Sequence, residues 1–94
     1  MGIPELYVDF NEMLEPDLVL LSAADGKVAV TGEQISLRAG LKVAIYMDDF
    51  DDEGRPNDLV AFGVVEANTS VGWAEHVRWC CRIDDHGIRH RSQL

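Results

Sequence analysis

Apolar and polar positions alternate with a period of two over much of this chain. Between Gln34 and Met47, Ile35 and Leu37 alternate with Ser36 and Arg38. After Ala39-Gly40, Leu41, Val43, Ile45 and Met47 alternate with Lys42, Ala44 and Tyr46. Successive side chains of a strand point to opposite faces, so the pattern predicts strands with one dry face and one wet face. The stretch from Gly72 to Asp84 reads the same way. Trp73, Val77, Trp79, Cys81 and Ile83 fall on one side, and Ala74, His76, Arg78, Cys80, Arg82 and Asp84 on the other. Two denser apolar runs, residues 17–22 and 57–68, suit inner strands, and Gly63 in the second predicts a bulge or bend.

Turn residues punctuate these runs at short intervals: Asp25-Gly26, Thr31-Gly32, Ala39-Gly40, Asn68 to Gly72, and Asp84 to Gly87. Many short strands separated in this way predict an all-β fold, with about five to seven strands. A small antiparallel barrel or a strongly bent sheet fits the length, because closure removes exposed edges. SH3- and OB-type barrels are analogues at the level of fold only, and carry no function with them. Residues 4–14 fit a strand or a helix. Leu6, Val8 and Phe10 favour a strand, followed by one helical turn over 11–14.

The chain has 94 residues, which predicts one domain over 1–94. Its net charge of −9 disfavours nonspecific attraction to nucleic acid or to an anionic membrane. No apolar run approaches membrane-spanning length, and the N-terminus lacks the basic and apolar regions of a signal peptide. Cys80 and Cys81 are adjacent and face opposite ways on a strand, so no ordinary intrachain bridge joins them. A reducing, cytoplasmic setting is expected. Charge is unevenly spread: residues up to Val77 carry −11, and those from Arg78 onward carry +2.

The densest charge lies between Tyr46 and Asp58, with six carboxylates against Arg55. Asp49, Asp51, Glu53 and Gly54 match positions one, three, five and six of a calcium loop. The register then fails, because position twelve is Val60 and the flanks read as strands. Acid–base catalysis by paired carboxylates needs a dry wall that this hydrophilic loop lacks. The expectation is a solvated hairpin connection, with at most a weak cation contact.

Both cysteines and all three histidines lie between positions 76 and 90. Zinc needs about four ligands meeting at one point. His76 and Cys80 on one strand would stand ~13 Å apart at ~3.3 Å per residue. No metal and no cofactor is therefore expected. Cys81 is expected in the core and Cys80 on the polar face, with Trp73 and Trp79 as core residues. The candidate binding residues are His76, Arg78, Arg82 and Arg89, an outward arginine-bearing row able to pair with carboxylates or phosphates. The function expected is a non-catalytic interaction module that binds a protein partner or its own copy through that face. RNA binding by the same face is the alternative. A thiol- or metal-dependent activity at Cys80, flanked by Arg78 and Arg82, is a further one.

Overall fold

A computed structural model describes residues 2–94. Among these residues it is all-β, built from nine short strands: β1 (Glu5–Tyr7), β2 (Met13–Glu15), β3 (Leu18–Ser22), β4 (Gly26–Val28), β5 (Gln34–Ser36), β6 (Lys42–Met47), β7 (Leu59–Ala67), β8 (Trp79–Ile83) and β9 (Arg89–His90). The main sheet runs β1-β6-β7-β8-β3-β2, with β9 paired to the start of β7, while β4 and β5 form a separate hairpin. All its pairings are antiparallel except β1 with β6, which is parallel. Among the described residues the sheet is open rather than closed into a barrel, with β1 and β2 at its two edges. No helix among the described residues is long and apolar enough to cross a membrane.

Alternation does place the main core as the sequence predicts. Val19, Cys81 and Val65 align across β3, β8 and β7, and all three are fully buried. Val43 and Ile45 of β6, Leu6 of β1 and Ile83 of β8 complete this inner face, which the β4–β5 hairpin covers with Ala29, Ile35 and Leu37. Gly63 is the point of closest approach. A Cβ there would stand 2.7 Å from the Cys81 sulfur and closer still to the Arg82 carbonyl oxygen. β7 can lie against β8 at this position only without a side chain.

Four expectations are corrected. The outer face of β3 and β8 is not solvated: Leu18, Leu20 and Cys80 pack there against Ala74 and Val77, giving a second core. Cys80, expected on a polar face, is therefore buried. The predicted strand from Gly72 to Asp84 forms only over Trp79–Ile83, and residues before it make tight turns. Trp73, expected inside, is exposed. Around residues 11–14 there is no helical turn: a turn at Phe10-Asn11 leads into β2, and the one helical piece described is a 3-10 turn at Arg91–Gln93.

Candidate functional site

The turn-rich segment between β7 and β8 is organised by one side chain. The Asn68 amide donates to the Ala74 and Val77 carbonyls, each at 2.8 Å. Its oxygen accepts from the Ser70 backbone N–H at 2.9 Å and from the Ser70 hydroxyl at 2.7 Å. The Asn68 backbone N–H also reaches the Arg78 carbonyl at 2.9 Å. Asparagine competes with ladder bonding in this way because its short amide reaches nearby backbone groups. Gly72, at φ +93°, supplies the left-handed step that lets the chain fold back. Turn bonds from Glu75 to Gly72 and from Val77 to Ala74 finish the loop.

The result is a two-sided loop. Ala74 and Val77, three residues apart, point down onto Leu18, Leu20 and Cys80. Val71 and Trp73 point out, at 84% and 62% exposure. Burial of the underside fixes the loop, and the fixed backbone holds a large indole in water. Such an arrangement costs hydrophobic free energy in the isolated molecule, and an ordered aromatic group in solvent is the composition of an interface anchor.

The four residues expected to form one row are dispersed. His76 and Arg78 lie in or beside the loop and are exposed. Arg78 pairs with Asp25 at 2.6 Å and lies 5.9 Å from the Trp79 ring centre. Arg82, on β8, is held by Glu66 at 2.9 Å, Asp17 at 2.9 Å and Glu15 at 3.3 Å. Those carboxylates, Glu66 foremost, raise its already high pKa. Arg89, on β9, has no carboxylate within ion-pair distance among the described residues, and its Nε is buried without a hydrogen-bond partner. Arg91 binds Glu5 and Asp58. Three of the four C-terminal arginines thus neutralise the body of their own chain, through partners far apart in sequence.

The acidic connection is a hairpin extension that is itself ordered. Phe50 bridges Pro56, and the Asp51 side chain accepts from the Glu53 and Arg55 backbone N–H groups at 2.9 Å each. The chain end braces its base: His90 contacts Asp49 at 2.9 Å, and Ser92 and Asn57 exchange two hydrogen bonds of 3.1 Å. The hydrogen bond from His90 holds the Asp49 carboxyl below its ordinary pKa. Among the described residues no group of three or more His, Cys, Asp and Glu side chains could hold a metal ion.

The thiols are placed for packing. Burial pushes Cys81 up to about 12, with Cys80 and Glu66 adding to the shift. Burial also raises Cys80, with Glu66 adding and Arg82 opposing. A reactive thiol needs the opposite environment. Neither thiol is expected to react with a disulfide reagent at pH 8 in the native protein, while both should react at once in denaturant. Prompt labelling of Cys80 in the native state would refute this placement.

Sequence reading placed a turn from Asn68 to Gly72 but missed the bracing role of the Asn68 side chain and the outward Trp73. A cue was present: Asn68, Ser70 and Gly72 within five residues signal turns, whereas the apparent alternation from Trp73 onward outweighed them. Comparison with protein-family models, with curated proteins and with solved structures gave no match to this chain.

Proposed function

We propose that this protein is a non-catalytic interaction module whose binding element is the Asn68-braced loop, with Trp73 as the anchor and Val71 beside it. The observation that carries the proposal is a 62% exposed tryptophan on a loop fixed by four side-chain hydrogen bonds and a buried underside. A preorganised aromatic anchor loses little conformational entropy on binding, so most of its burial appears as affinity. His76 and Arg78, two of the residues singled out from sequence, flank this loop and would meet the rim of a partner.

Charge favours a different protein over a second copy. Two chains of −9 repel, and three of the arginines that could have bridged them are engaged within their own chain. The partner proposed has an apolar pocket for the indole and a neutral or basic rim. A strongly bent sheet, the other form expected of this fold, belongs with this proposal, supported by the close approach of β7 and β8 at Gly63. So does a reducing, cytoplasmic setting, supported by two free buried thiols.

Trp73→Ala tests the reading. A surface truncation should change stability by less than ~0.5 kcal/mol, while loss of an anchor should weaken binding by at least ~30-fold, about 2 kcal/mol. The measurement is native mass spectrometry of the complex purified with wild-type and variant protein, beside a urea unfolding curve of each. A partner retained equally by Trp73→Ala and by Val71→Ser would overturn the assignment.

A further inference from the structure

We propose that Lys27 is a carbonyl-capturing amine: set in a small cavity beside the Trp73 loop, it condenses with small neutral aldehydes to form an imine. Lys27 pairs with Ile35 across the β4–β5 hairpin, and directly opposed residues share a face. Ile35 packs against the main core, so the Lys27 stem also enters on the core side instead of lying in solvent. Its Nζ ends 2.9 Å from the Leu21 carbonyl, the one protein acceptor within hydrogen-bond reach among the described residues. An ammonium has three protons to place. Here one is met by protein, and no carboxylate among the described residues stands at ion-pair distance.

Lys27 lines an open cavity of about 320 Å³ together with Leu21, whose carbonyl holds the Nζ, and with Tyr7, Asp9, Glu12, Ser22 and His76. Burial disfavours the charged form and pulls the Lys27 pKa down, while the nearby Glu12 carboxylate opposes the shift. The charged and titratable groups facing the amine are thus Asp9, Glu12, Tyr7 and His76. Asp9 and Glu12 disfavour anionic ligands, which is why the class assigned is a neutral aldehyde.

The step balances without a further reagent. The amine lone pair attacks the carbonyl carbon, forming the C–N bond as the C=O π pair moves to oxygen. Both N–H protons pass in turn, through solvent, to that oxygen; the pair left on nitrogen closes the C=N bond as the C–O bond breaks and water leaves. The net change is amine plus aldehyde to imine plus water.

The chain has only two lysines, and Lys42 is exposed, so it serves as an internal control. Intact protein is treated near neutral pH with propionaldehyde and cyanoborohydride, which reduces the imine to a stable secondary amine, and peptide masses report each lysine. Lys27 is expected to be modified several-fold faster than Lys42, with that preference lost in urea. Glyoxylate, an anionic aldehyde, should label Lys27 more slowly than propionaldehyde does. Glu12→Gln removes the carboxylate that favours the ammonium and should accelerate Lys27 at the same pH. Equal or faster labelling of Lys42 in the native protein would overturn the proposal, as would a Lys27 preference that persists in urea.

Discussion

Gly63→Ala is expected to destabilise the protein by about 3 kcal/mol, the upper end of overpacking costs in a close-packed interior. The added methyl would sit 2.7 Å from the Cys81 sulfur and 2.9 Å from the Arg82 carbonyl carbon. A flexible side chain could move aside, but backbone cannot. Gly63 stands opposite Val43 on β6 and Ile83 on β8, at the middle of the sheet. Relief would require β8 to separate from β7, which would break ladder bonds and open the Val19–Cys81–Val65 row. The check is the urea midpoint against wild type, with Gly72→Ala as a contrast. Among the described residues Gly72 has no heavy atom within 4 Å of an added Cβ and is constrained by its φ of +93°, so that change should cost about 1 kcal/mol. Equal midpoints for Gly63→Ala and wild type would mean that β7 and β8 do not approach as described.

The second large effect is at Asn68. Asn68→Ala removes four side-chain hydrogen bonds and leaves the Ala74 and Val77 carbonyls without that donor. Each bond contributes roughly 1 kcal/mol net, and bonds from one side chain are not additive. The expected loss is about 2–3 kcal/mol. Unlike Gly63→Ala, this substitution should also release the loop, so partner binding should weaken even at temperatures where the variant remains folded. Asn68→Asp offers a sharper comparison. The carboxylate can still accept from Ser70 but cannot donate to Ala74 and Val77, so it should behave like the alanine variant in binding. Retained affinity in both variants, measured below their unfolding transitions, would show that the loop needs no bracing to act.

How much of this was legible in sequence follows from what each residue depends on. Val43, Ile45, Cys81 and Ile83 were placed correctly because a strand with one dry face carries its orientation in its own alternation. Gly63 was legible as a special position, although not for its reason, since the approach of Arg82 is a tertiary fact. The second core was hidden. Cys80 lies between Arg78 and Arg82 in sequence and looks polar by parity, and only the loop folding back over β3 and β8 buries it. Trp73 and Val77 appeared to continue a strand, yet the loop is governed by the 74–77 spacing and by Asn68, a single side chain that outweighs the local alternation. The ion pairs of the arginines were hidden for a similar reason. Glu15, Asp17 and Glu66, the partners of Arg82, are remote in sequence and meet it only through the pairing of β2, β3 and β7 around β8.

The proposed activity depends on a loop that buries Ala74 and Val77 while leaving the Trp73 indole in water. Proton NOE spectroscopy of the free protein tests this directly. Cross-peaks from the Ala74 and Val77 methyls to Leu18 and Leu20 are predicted, with none from the Trp73 ring to either leucine. Trp73 ring contacts with those leucines, beside an Ala74 methyl that touches nothing, would mean that the segment continues as a strand and that no anchor is displayed.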